Sequence, residues 1–229
     1  MAAAWSLVGC GSGSPEATTT PPGATASAAA STGHGDANAY QHFQAAATEF
    51  AALPAYAVTY DARVNNPAGA SFSATVAFTH KDTVTRVQFD GTVNGKETHF
   101  TTVQDGKTLT VCQSQTSSCA QTTDKSNMNP LASLDPVGVL QTVSGDPSMT
   151  IATAPPQTFA GVAGNCYSVT QQAQKSTFCL DPATGILLLA VGQSGATGSQ
   201  QFTESIAATA VSTAVSTVDT STPYPLASS

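Results

Sequence analysis

Cysteine is the residue type in this 229-residue chain whose spacing most directly proposes chemistry. Cys112, Cys119, Cys166 and Cys179 form an even set, the pattern of disulfides in a chain that meets an oxidising compartment. Cys112 and Cys119 flank the polar loop Gln113 to Ser118, and Cys166 and Cys179 flank Tyr167 to Phe178, which reads as a hairpin. Four cysteines allow three connectivities. Pairing 112 with 119 and 166 with 179 is favoured because each pair consists of strand-loop-strand neighbours. No spacing is C-x-x-C and no histidine lies near either pair, so neither a metal site nor a dithiol redox site is expected. His34, His42, His80 and His99 read as surface histidines, each apart from an obvious nucleophile or carboxylate partner. There is no G-x-S-x-G, H-E-x-x-H, Walker loop or dinucleotide-binding glycine turn. The only glutamates in the expected folded part are Glu49, Glu97 and Glu204, and their spacing proposes no acid-base pair. The expectation is a protein with no catalytic residue and no cofactor, not an enzyme.

The fifth cysteine has a different context. Leu7-Val8-Gly9-Cys10 matches the pattern at which bacterial lipoprotein precursors are cut before an acylated cysteine. Small residues ahead of Cys10 let a peptidase reach the backbone, and the thiol is the nucleophile that takes a diacylglyceryl group. Residues 1–9 then read as a signal remnant. No Lys or Arg precedes Cys10 and the apolar stretch is only about eight residues, a departure from the charged n-region and longer apolar region of a full signal peptide. From Gly11 to Ala39 there is no Val, Ile, Leu, Met or aromatic residue. Such a run cannot bury enough to offset its ordering entropy, so residues 10–39 are expected to form a disordered Ala/Thr/Ser/Pro/Gly tether with a reach of roughly 30 Å. The expected location is outside the cell, on the outer face of a bacterial membrane, held by a lipid such as a palmitate-bearing anchor on Cys10.

Composition narrows the partners. Seven Lys and Arg against 14 Asp and Glu give a net charge of -7, and the basic residues are scattered singly between Arg63 and Lys175. With no basic stripe to neutralise phosphates, nucleic acid is excluded as a partner. Charged residues make up only 9% of the chain while 41% are hydrophobic, so a core can form and solubility rests on Ser, Thr, Gln and Asn. No apolar run approaches the ~20 residues of a membrane-spanning helix.

The remaining pattern supplies the scaffold. Tyr40, Phe43, Ala47 and Phe50 recur at helical steps, with Asp36 placed to cap the helix and Pro54 to end it. Strict alternation follows in Tyr56, Val58, Tyr60, Ala62 and Val64, then in Phe72, Ala74, Val76 and Phe78, and continues through Val87, Phe89 and Val93. Asn94-Gly95 and Asp105-Gly106 mark tight hairpin turns, which imply an antiparallel meander. Leu131, Leu134, Leu140 and Val143 suggest a helical pair, with Asp135 as a cap and Pro136 at a first helical position. A second group of strands is expected from Met149 to about Val218. It includes Ile186 to Val191, the most hydrophobic run, which reads as a strand covered on both faces. Ile206, Ala208 and Ala210 share one parity and Val211 and Val215 the other, so a bulge or a loose C-terminal edge is expected. The fold class is α+β, a curved antiparallel β-sheet (half-barrel) with helices packed on its concave face.

These features together resemble a known group. The Cys10 motif, the tether, the opening helix, the meander, Leu134-Asp135-Pro136 and the turn Asp181-Pro182-Ala183-Thr184-Gly185-Ile186-Leu187 are similar to exported lipoproteins with a LolA-like half-barrel, mycobacterial lipid-carrier lipoproteins among them. The resemblance covers residues 40–220 as one domain and leaves 221–229 as a tail. It implies a monomer whose concave apolar face holds an acyl lipid or a lipoprotein ligand, and Tyr56, Tyr60, Phe72, Val76, Phe78, Val87 and Phe89 are the residues expected to line that face. The rival expectation is an envelope sensor or interaction module of the same fold, with a filled core and a protein partner. A hydrolase would need His, Ser and a carboxylate to converge in a cleft.

Overall fold

The computed structural model describes residues 35–65, 71–123, 135–172, 174–194 and 202–227. Asp36 starts the first helix, α1 (Ala37–Ala51), by accepting the backbone N–H groups of Asn38 at 2.9 Å and Ala39 at 3.3 Å. The helix stops at Ala52, two residues before Pro54. Its buried stripe is Ala39, Phe43, Ala47 and Phe50. Phe43 and Phe50 are each completely shielded from solvent, and each contributes roughly 2 to 3 kcal/mol of apolar burial.

Eleven strands follow the alternating pattern. The first meander is β1 (Ala55–Asn65), β2 (Phe72–Lys81), β3 (Val84–Val93), β4 (Lys96–Asp105), β5 (Thr108–Gln113) and β6 (Ser118–Thr122). After the second helix, α2 (Pro136–Gly145), come β7 (Thr150–Phe159), β8 (Val162–Gln171), β9 (Gln174–Leu180), β10 (Leu187–Ser194) and β11 (Phe202–Ser212). All lie in one antiparallel sheet of order β6-β5-β4-β3-β2-β1-β11-β10-β9-β8-β7. The β1–β11 pair joins the two meanders, which places residues about 150 positions apart side by side. The open sheet curves into a half-barrel, and α1 and α2 pack against each other over its concave face.

Local chemistry sets the turns and register. Asn94 and Gly95 take positive φ values of 52° and 74°, as a two-residue hairpin loop of this hand requires. Asp135 caps α2 through the Val137 N–H at 3.2 Å, with Pro136 in its first turn. The parity slip in β11 is a bulge: Thr59 faces Ala210 but Tyr60 faces Ala208, so Thr209 is extra and its hydroxyl bonds the Thr59 carbonyl at 3.2 Å. Ile186 to Ala190 are all buried, as expected for a run covered on both faces.

Several boundaries differ from the sequence reading. The described residues begin at Gly35, which bridges to Ile151 of β7, and Ala37 to Ala39, expected in the tether, already belong to α1, which Asp36 caps. Of the expected helical pair the described residues hold one helix, α2, and Leu131 and Leu134 lie outside them. Strand β11 is central, not an edge, and ends at Ser212. The segment after it runs over the convex face, where Lys81 Nζ donates to the Ser216 carbonyl at 2.7 Å and Arg86 donates to the carbonyls of Asp219 and Ser221 at 2.8 and 2.9 Å. It then pairs with β6, with the Cys119 N–H bonded to Pro225 and the Ala227 N–H to Cys119. The expected tail is therefore docked.

Candidate functional site

The concave floor is built from the inward positions of the first meander. Tyr56, Phe78, Val87 and Leu109 come from β1, β2, β3 and β5, and Phe50 closes over them from the C-terminal turn of α1. Between these residues and the start of α2 lies a half-open cleft of about 230 Å³. Its floor holds buried apolar side chains beside the buried Thr102, its partly exposed rim is polar, with His80, Thr85, Gln104 and Asp135, and the cleft as a whole presents polar and apolar surface in similar measure. This division follows from strand alternation near strand ends: the inward parity that buries Val87 also points Thr85 inward, one step closer to the rim.

The rim groups hold one another in place. The His80 ring stacks on Tyr56 at a centroid distance of 5.1 Å, and its Nδ1 lies 2.9 Å from the Thr85 hydroxyl. Burial lowers the His80 pKa, an effect that the charges of Asp82 and Asp135 oppose. Burial raises the Asp135 carboxyl, against the N–H groups of Val137 and Gly138 and the nearby His80. The Tyr56 hydroxyl is pushed far up, first by burial and then by Asp135, and stays a neutral phenol. Thr102 and Tyr56 bring buried hydroxyls to the cleft that form no hydrogen bond among the described residues. Buried polar groups are normally paired, so both have capacity for an occupant.

The seven residues expected to line a ligand face separate into three groups. Tyr56, Phe78 and Val87 line the cleft. Tyr60 and Val76 lie in the filled core, where the Tyr60 hydroxyl donates to the Leu187 carbonyl at 2.9 Å. Phe72 and Phe89 are in an aromatic row with Phe100, with successive centroids 5.9 Å apart. Periodicity could identify the shared face but not which part of it the helices fill. His80 was not legible as a rim residue, and Asp135 was legible only as a cap.

The other candidate groups are elsewhere. Cys112–Cys119 and Cys166–Cys179 are disulfides between facing residues, each with a Cα separation of 4.0 Å. They are the mark of a chain that matures outside the reducing cytoplasm. Cys10 and His34 lie outside the described residues. His99 is not isolated: on the outward face it bonds Asp90 at 2.8 Å and Glu97 at 3.2 Å, which raises its pKa. Among the described residues no group of three His, Cys, Asp or Glu side chains is arranged to hold a metal ion. Glu204 shares the inward parity of Ile206 and Ala208, makes no ion pair among the described residues, and is pushed up to about 7 by burial.

No family model matches the chain, and no curated protein is similar to it in sequence. Solved structures are similar in fold. LprF from Mycobacterium bovis is 13% identical over 83% of this chain and 99% of its own, with a TM-score of 0.52. MucB is 15% identical over 81% of this chain and 62% of its own, with a TM-score of 0.51. The MucA/MucB complex of Pseudomonas aeruginosa is 14% identical over 80% of this chain and 59% of that one, with a TM-score of 0.49. The chain thus spans about three-fifths of the MucB chains it matches. At these identities the likeness is one of fold, a curved half-barrel of the kind that LprF and MucB adopt.

Proposed function

We propose that this chain is an exported envelope lipoprotein, anchored through a lipid on Cys10, that binds an acyl chain without catalysing its conversion. The observation that carries this reading is the half-open cleft with its apolar floor and polar rim. Its volume of about 230 Å³ is larger than an engineered ~150 Å³ cavity that takes benzene, and below the ~300 Å³ at which drug-sized pockets begin. It suits a segment of one acyl chain, with the rest of the lipid at or beyond the rim. Each buried methylene contributes about 0.8 kcal/mol, so even a partly enclosed chain is held. In this reading the expected tether of residues 10–39, most of which lies outside the described residues, supplies the monomer's reach from the membrane.

A second reading is favoured by the filled part of the concave face. Phe43 packs edge-on against Tyr167 and Phe178, with centroids 5.3 and 5.9 Å away, and the Tyr60 hydroxyl is used internally. A core of this kind also suits an envelope sensor with a protein partner.

Native mass spectrometry of the chain purified without detergent, followed by organic extraction, separates the two readings. Stoichiometric acyl lipid is the expected result. A clean apo mass that persists after incubation with phospholipid and triacylglycerol favours the protein-binding module. Intact-mass analysis from a lipoprotein-competent host is expected to show a diacylglyceryl adduct on Cys10, and an unmodified Cys10 overturns the anchor.

A further inference from the structure

We infer that the cleft selects a single-chain amphiphile with an uncharged, hydroxyl-bearing head over one with an anionic head, and that Asp135 is the residue that discriminates. This rests on the lipid-binding reading and gives it a ligand class. The polar groups at the rim are His80, Thr85, Gln104 and Asp135, and no lysine or arginine lines the cleft among the described residues. Among the described residues a phosphate or carboxylate head would therefore meet no cation and one carboxylate. At this partly exposed rim two like charges still repel more strongly than in bulk water.

A hydroxylated head has the opposite fit. The Asp135 carboxylate can only accept hydrogen bonds, so a ligand hydroxyl can donate to it and a deprotonated anion cannot. When His80 Nδ1 accepts the Thr85 proton across their 2.9 Å contact, its Nε2 carries the hydrogen and is a donor. The Gln104 amide both donates and accepts. A glycerol-type head, whose hydroxyls donate and accept, meets each of these demands.

The cap role of Asp135 permits a selective test, because asparagine caps a helix about as well as aspartate. Asp135→Asn keeps the α2 cap and removes the charge. Calorimetric titrations of the purified 229-residue chain at pH 7.5 would compare monolauroylglycerol, laurate and dodecyl phosphate below their micelle concentrations. The expected result is one-to-one binding of monolauroylglycerol, about tenfold or more tighter than either anion. D135N is expected to bring the anions to within about threefold of the neutral ligand, a smaller gap that reflects the lost repulsion. Equal or tighter binding of laurate or dodecyl phosphate by the unaltered chain overturns the selectivity and leaves acyl binding standing. An unchanged ratio in D135N overturns the role of Asp135. Failure of all three probes to bind overturns the lipid-binding reading itself.

Discussion

Replacing Glu204 by Gln tests the physical picture of the concave face. Glu204 lies beside Val64 of β1 and Gly192 of β10, partly buried, and its carboxyl is raised from 4.5 to about 7. The cause is burial alone. Because the folded state holds this proton more tightly than the unfolded state, the contribution is fully present below pH 4.5 and is lost as pH rises toward 7. A rise of this size corresponds to about 3 kcal/mol, which solvent screening of a partly exposed group reduces to roughly 2 kcal/mol. Gln keeps the shape and cannot ionise. Urea unfolding of both proteins with disulfides intact, at pH 4.5, 6 and 8, is therefore expected to give equal stabilities at the acid end. At pH 8 the E204Q variant should be the more stable by roughly 2 kcal/mol. A constant offset at all three pH values, or a less stable variant at pH 8, refutes the reasoning.

Three further perturbations follow from the packing. Tyr60→Phe leaves the buried Leu187 carbonyl without its 2.9 Å donor and should cost about 1 to 2 kcal/mol in urea unfolding, with little change in far-UV circular dichroism. Gly185 has φ +71°, and a Cβ there would collide with the Ala46 carbonyl of α1. Gly185→Ala should accordingly cost at least about 2 kcal/mol, read as a lowered Tm. Removing the Cys166–Cys179 bridge by Cys→Ala at both positions frees a loop of sequence separation 13 and should cost about 3 kcal/mol, measured by urea midpoint.

Much of the fold was legible because local rules and tertiary burial agree. Asp36, Asn94-Gly95 and Asp135-Pro136 each satisfy a backbone need within a few residues, so their roles could be read without the rest of the chain. The β11 bulge was legible for the same reason, since one extra residue must reverse parity. What could not be read depends on distant partners. The β1–β11 pairing joins residues about 150 positions apart, and the path of the segment after Ser212 is fixed by bonds from Lys81, Arg86 and the Cys119 N–H that span more than 100 positions. The candidate site divides in the same way. The apolar floor residues Tyr56, Phe78 and Val87 follow from alternation, whereas the rim exists because α2 brings Asp135 over His80 and Thr85. Nothing within a few residues of His80 reveals that approach.

The docking of Gly35 and Leu226 on the two outer strands has a consequence for solubility. An open sheet exposes two rows of backbone donors and acceptors, which are templates for pairing with other molecules. Proteins usually defend such rims with lysine, and this chain has very few charges to spend there. Instead Gly35 bridges to β7, Pro155 and Pro156 interrupt that strand, and Leu226 lies along β6. The chain's own backbone thus serves as the guard against edge-to-edge aggregation. A molecule clipped after Ser212 would lose that guard along β6 while keeping all eleven strands, exchanging a self-limited sheet for one that can be extended.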